Sequence, residues 1–386
     1  MVSPSRRQFL SAAALAAIGI SGCVGRSSET TPTPGSAGPD EAGRADGTAA
    51  DSADGATADS TSVTDAVPTA DAQLPLPMEP ATLRDNAMSG GPSKDGIPSI
   101  DDPKFLAPDA VDYLAPGDPV FGVERDGVAK AYPQKILAHH EIVNDELAGT
   151  NVAVTYCPLT GTVQGFERGE TTFGVSGRLI NNNLVMYDRA TETWWPQILA
   201  TSIPGPWNED ASVRSLRELR LVWTTWERWR RHEPETRVLS TDTGHARNYG
   251  SDPYGSYNPR GGYYANGNLL FPALNSTDRF DKKTVVMGAR TADGAVAFLK
   301  ESLRDQSLMT GELGAEPVLA VYDPALDTGY VYWNSEEEEY RFEDGSVVGP
   351  DGTAHEPDSL PLSRVHTFDA MWFAWGSYYP ETDVYE

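Results

Sequence analysis

Val120-Phe121-Gly122-Val123-Glu124-Arg125-Asp126-Gly127-Val128-Ala129-Lys130-Ala131-Tyr132 places two short apolar, β-favouring runs on either side of an Arg-Asp-Gly turn. This is a hairpin pattern, because Asp-Gly accepts the positive φ angles that a tight two-residue turn requires. Val285-Val286-Met287-Gly288 and Ala295-Val296-Ala297-Phe298 bracket Asp293-Gly294 in the same way. Aligned with itself at an offset of 166, the chain shows 11 identities over the 47 positions from 120 to 166. Tyr156, Pro158 and Thr162, for example, stand opposite Tyr322, Pro324 and Thr328. Each hairpin leads into a short helical stretch, 133–140 and 299–305, and then into a strand ending in Tyr-x-Pro, 152–157 and 318–323. The reading predicts an α+β, β-rich fold in which two pseudo-repeated β-rich halves, 93–240 and 241–386, form one compact unit.

Further strands are expected at 162–166, 171–175, 184–188 and 194–198. A helix is expected at 225–232, where Thr224-Thr225-Trp226-Glu227 resembles a capping box. Neighbouring strand residues face opposite ways, so one of Trp194 and Trp195 is expected in the core and the other outside. Asn181-Asn182-Asn183, with Arg178 before it, reads as a solvated turn, with anion or sugar binding as the competing use. The stretch 245–264 holds five tyrosines with Pro253 and Pro259 and reads as a long ordered loop. Trp372–Trp375 with Tyr378 and Tyr379 are expected to close the core.

The N-terminus carries an address. Ser5-Arg6-Arg7-Gln8-Phe9-Leu10 and the apolar run that follows resemble a twin-arginine export signal. Ile20-Ser21-Gly22-Cys23 resembles a lipobox, so residues 1–22 are expected to be removed and Cys23 to be lipidated. That anchors the protein to the outer face of the cytoplasmic membrane, where two acyl chains hold far better than one. Residues 23–92 are rich in Ala, Ser, Thr, Pro, Gly and Asp, and no aromatic residue occurs between Cys23 and Phe105. Such a segment buries too little apolar surface to offset its chain entropy, and it is expected to be a disordered acidic tether.

Val154-Thr155-Tyr156-Cys157-Pro158-Leu159-Thr160-Gly161-Thr162 resembles the signature of the family called domain of unknown function 3179. The resemblance extends to His140–Asp145, Phe173–Gly177, Tyr187–Arg189, Trp195-x-Gln197 and Tyr249–Tyr254. It implies no activity. Many members carry a second Cys where this chain has Thr160, which leaves dithiol–disulfide chemistry without its partner.

With Cys23 lipidated, Cys157 is the remaining thiol, and its repeat partner is Asp323. Three chemical uses compete with a buried structural role. A nucleophilic thiol needs a base, for which His140, supported by Glu141 and Asp145, is the candidate; His139 points about 100° away on the helix. A transition-metal site would use Cys157 and His140 with a carboxylate or with a further histidine such as His245 or His366. Mono-thiol redox needs an external thiol or partner protein. Val163 stands where the arginine of a Cys-phosphatase loop would fall, which excludes that class. The alternative to a thiol enzyme is a non-enzymatic surface protein binding a metal, a small molecule or a protein partner.

The chain carries 30 Lys+Arg against 56 Asp+Glu, for a net charge of −26, and only seven of its basic residues are lysine. This surface repels phosphate and speaks against nucleic-acid binding. Two cysteines exclude disulfide scaffolds and zinc sites built on three or four thiolates. Low lysine and pervasive acidity resemble proteins of salt-loving organisms, where counter-ions screen self-repulsion. The purified domain is therefore expected to lose structure on dialysis into salt-free buffer; an unchanged circular dichroism spectrum would refute the halophilic reading.

Overall fold

In the computed structural model, which describes residues 66–386, strands dominate and the α-helices are single short pieces of six or seven residues. The signal segment, Cys23 and the tether up to residue 65 lie outside the described residues. The tether boundary expected at 92 is corrected. Residues 66–92 include a helix at Pro80–Asp85 and a strand at Met88–Ser89 that pairs with Leu179 and Arg178. Composition hid this because few apolar residues suffice: Val67 and Leu83 are buried, and Ala70 N–H and Leu74 N–H bond Ser215. The segment borrows its backbone partners and its core from the rest of the domain.

The expected hairpin forms from Pro119–Arg125 and Val128–Pro133. Its turn residues Asp126 and Gly127 have φ of 51° and 78°, the backbone that Asp-Gly tolerates. Val222–Thr225 adds antiparallel on one side and Arg237–Leu239 parallel on the other. Helix Gln134–His140 then leads into a meander of Ile142–Leu147, Thr150–Cys157 and Thr162–Glu167. Val285–Thr291 and Gly294–Leu299 form the second hairpin, flanked by Thr367–Met371 antiparallel and Asp383–Tyr385 parallel. Helix Lys300–Gln306 leads into a second meander, Leu308–Leu313, Glu316–Asp323 and Thr328–Trp333. Between the two sets lies a separate sheet of Phe173–Ile180, Asn183–Asp188 and Trp194–Pro196.

Both hairpins are pinned by a glycine beneath an indole. A Cβ on Gly122 would sit 2.3 Å from the Trp229 ring, and one on Gly288 would sit 2.1 Å from Trp375. Trp229 lies on helix Trp226–His232 and Trp375 on helix Trp372–Tyr378, so each helix lies flush on its sheet because a side chain is missing below it. The helix at 225–232 is therefore present, but its capping box is not: Thr225 is the N-cap without a side-chain cap bond, and the Thr224 hydroxyl is buried without a partner. Trp194 and Trp195 are both buried, which corrects the expected split. Strand alternation does send them to opposite faces, but Trp207 covers Trp194, while Phe173 and an indole bond to Asp188 (3.0 Å) hold Trp195.

The two sets meet through a backbone bond from Met371 N–H to Thr160 O (3.0 Å), and the Tyr378 hydroxyl donates to Ile180 O of the separate sheet (2.7 Å). The Arg290–Glu218 ion pair (2.8 Å), with Arg290 fully buried, adds a charged link. Among the described residues no helix is long and apolar enough to cross a membrane. Gly122→Ala and Gly288→Ala should each destabilise the fold by about 1–3 kcal/mol through overpacking, read as a lower urea midpoint, whereas Gly127→Asn in the open turn should be close to neutral.

Candidate functional site

Strand Thr150–Cys157 is buried on both faces, and its alternation decides which residues can meet. Val152, Val154 and Tyr156 enter one hydrophobic cluster, and Ala153 and Cys157 enter another. Cys157 is 1% exposed, and its thiol points at Asn182 O, 3.5 Å away. Burial, reinforced by the nearby Glu141 carboxyl, pushes the thiol up to about 11. A reactive cysteine needs the opposite environment, an electropositive and partly exposed one.

His140, expected as the base for this thiol, has both ring nitrogens committed to other partners. It ends helix Gln134–His140, fully buried, with Nδ1 2.7 Å from Pro98 O and Nε2 2.6 Å from Tyr249 Oη. A carbonyl only accepts, so Nδ1 carries the proton and Nε2 accepts from Tyr249, whose oxygen lies 2.6 Å from the Thr243 hydroxyl. Burial lowers His140 to about 4, and both nitrogens are occupied. His139 faces Ser251 O (3.0 Å), and His245 lies beside the His140 ring. His366 sits 3.3 Å from Glu218. Asp145 is held by Lys130 (2.8 Å) and Tyr132 (2.7 Å) in an ion pair on the neighbouring strand. Among the described residues no three His, Cys, Asp or Glu side chains gather as a metal site.

The group that does approach Cys157 is Glu141. It terminates the helix with φ of 59°, a strained value for a non-glycine residue, and it is buried. No donor among the described residues bonds its carboxyl, and burial pushes it up to about 8. The same carboxyl acts on Tyr254, while Tyr263 donates to Leu159 O (2.8 Å) and so lays the tyrosine-rich loop over the thiol.

The signature residues around Cys157 build a buried polar lattice. Gln197 is its centre: Nε2 donates to Thr155 Oγ1 (3.0 Å), while Oε1 accepts from Thr162 Oγ1 (2.7 Å) and Asn183 Nδ2 (2.9 Å). Asn183 also reaches Thr160 Oγ1 (3.1 Å) and the Ile198 N–H (2.9 Å). Thr160, three residues after Cys157, is thus a lattice member. The asparagine run is not a solvated turn: Asn181 bonds Ala374 O (3.1 Å) and Asn182 bonds Phe271 O (2.9 Å), all three being buried. Arg178 alone of that group is exposed.

The loop 245–264 is ordered, as expected, and contains a small hairpin, Gly255–Tyr257 with Arg260–Gly262. It is tied down by Gln134, which donates to Asp252 Oδ2 (2.6 Å) and Tyr264 Oη (3.1 Å). Its far side forms a wall of a cleft of about 990 Å³, lined by Trp223, Tyr257, Arg260, Lys283, Lys300 and Arg304 among others. Sequence reading missed this cleft. Its members come from seven separate segments, from Pro119 to Asp369, and only the basic doublet Lys282-Lys283 in an acidic chain offered a signal.

Compared with known proteins, residues 94–382 match the family model described as "Protein of unknown function (DUF3179)". No curated protein and no solved structure matches the chain. The raised Glu141 carboxyl has a consequence for stability. The fold holds a proton that the unfolded chain releases near 4.5, so this contribution is lost as pH rises from 4.5 through about 8. Glu141→Gln should remove that slope, leaving a urea midpoint that falls less than the wild type's over this interval; parallel curves would show that Glu141 is ionised in the fold.

Proposed function

The chain belongs to the DUF3179 family, and we propose that it is an exported lipoprotein, anchored through Cys23, whose domain binds a small ligand without turning it over. The cleft carries this reading. At about 990 Å³ it has the volume of a small-molecule site, and it combines aromatic surface from Trp223 and Tyr257 with convergent polar groups. Residues from both sets of strands contribute to it. We read those sets as two related halves: their six leading elements recur 166 residues apart with equal lengths, from Pro119–Arg125 and Val285–Thr291 onward. A cleft between duplicated halves is a natural place for a ligand site, since the seam needs no side chain from either core.

Cys157 enters this reading as a core residue. Its thiol is buried and raised, and the histidine expected to activate it is committed to Pro98 and Tyr249. Calorimetric titration with a panel of neutral sugars, amino acids and organic acids should reveal a compound whose binding is lost in Trp223→Ala and kept in Cys157→Ala. Cys23→Ala should move the protein from the membrane fraction to the medium. If no compound binds, and the wild type but not Cys157→Ala shows burst acylation by p-nitrophenyl acetate, the domain is a thiol enzyme instead.

A further inference from the structure

All seven lysines lie within the described residues, and five of them are neutralised in ion pairs: Lys94 with Glu192, Lys104 with Asp242, Lys130 with Asp145, Lys135 with Asp118 and Lys300 with Asp369. The two that have no carboxylate within 4.0 Å among the described residues are Lys282 and Lys283, and both line the cleft. Against the five paired lysines, two adjacent lysines on one cleft wall without a carboxylate neighbour stand apart. Lys283 is also 93% buried, at 7% exposure, where an uncompensated ammonium is costly.

The surroundings of Lys283 soften that cost only in part. Its ammonium lies 3.3 Å from the Tyr263 ring centroid and donates to Tyr263 O, and Asn266 Oδ1 is 3.4 Å away. Arg260 packs on the Lys283 backbone, bonding Lys283 O (3.1 Å) and Tyr257 Oη (3.2 Å), and among the described residues it too has no carboxylate partner. The other cations of the cleft are spent, Lys300 on Asp369 and Arg304 on Asp327. The two remaining carboxylates of the lining, Asp281 and Glu301, face three unpaired cations.

We infer that Lys283 and Arg260, with Lys282, form the anion-recognising end of the cleft, and that its ligand is a small hydroxylated molecule bearing a carboxylate or phosphate. An ammonium and a guanidinium on one wall of the cleft supply charge and a planar fork for an oxyanion. Trp223 and Tyr257 offer faces for the C–H surface of the ligand, and Asn258, Asn266 and Thr284 offer hydroxyl partners. A part-buried pair of this kind keeps its attraction in salt better than an exposed one.

The inference rests on the ligand-binding reading above, and lysine-resolved titration separates the two. With seven lysines, reductive ¹³C-methylation of the whole domain gives few enough NMR signals for Lys283→Arg to assign its own. Burial holds Lys283 down to about 8. Sodium glucuronate or glucose 6-phosphate should shift the Lys283 signal and raise its titration midpoint by at least one unit; the stronger of the two identifies the oxyanion. Glucose should leave the midpoint in place. In calorimetry Lys283→Gln should weaken the better anion at least tenfold. Arg260→Gln, on the loop and away from the core, should do likewise, while Lys104→Gln should have no effect. Equal binding of glucose and both anions, with Lys283 unmoved, would overturn the anion inference and leave the cleft as a neutral site. No binding of any of the three would overturn both.

Discussion

The carboxamide of Gln197 is the contact on which the arrangement around the signature strand depends. Its oxygen and nitrogen are satisfied by Thr155, Thr162 and Asn183, and its own backbone oxygen accepts from Gln164 Nε2 at 2.8 Å. These groups come from three strands of two sheets and lie in a region closed to water. Losing one member weakens the bonds it makes to its neighbours, a cost of about 1–3 kcal/mol for each buried group left unpaired. Such a network accepts only one mutual placement of the sheets, and that placement aims Cys157 at Asn182 and away from solvent.

A second constraint acts through charge. The excess of acidic side chains means that almost any lysine finds a carboxylate, as five of the seven do. Regions that escape this pairing are therefore informative, and the cleft behind the tyrosine-rich loop is such a region. The loop has two faces with different duties. Tyr254 and Tyr263 close over Cys157 and Glu141, whereas Tyr257 and Arg260 face the cleft.

Local patterns were legible where local physics is sufficient. The Asp-Gly hairpin at 126–127, the strand ending at Cys157 and the helices after each hairpin follow from turn chemistry and periodicity within a few residues. Readings failed where a distant segment supplied the deciding partner. The run Asn181–Asn183 is polar and compact, yet Phe271 and Ala374 bury it. Residues 66–92 are poor in aromatics, yet they take backbone partners from Ser215 and Arg178. His140 and Glu141 are neighbours in the chain, and only their packing shows that the carboxyl, not the imidazole, lies toward the thiol.

Linear reading was enough for the element types, the spacing at 166 residues, the family signature and the acid excess. These depend on neighbours within one or two turns of chain, or on composition, so a linear reading captures them. The tertiary structure alone decided that Cys157 is enclosed, that His140 is occupied, and that Lys282, Lys283 and Arg260 share a wall with Trp223 and Tyr257. Burial and ion pairing arise between residues dozens to hundreds of positions apart, and a side chain's chemistry follows from what surrounds it rather than from what precedes it.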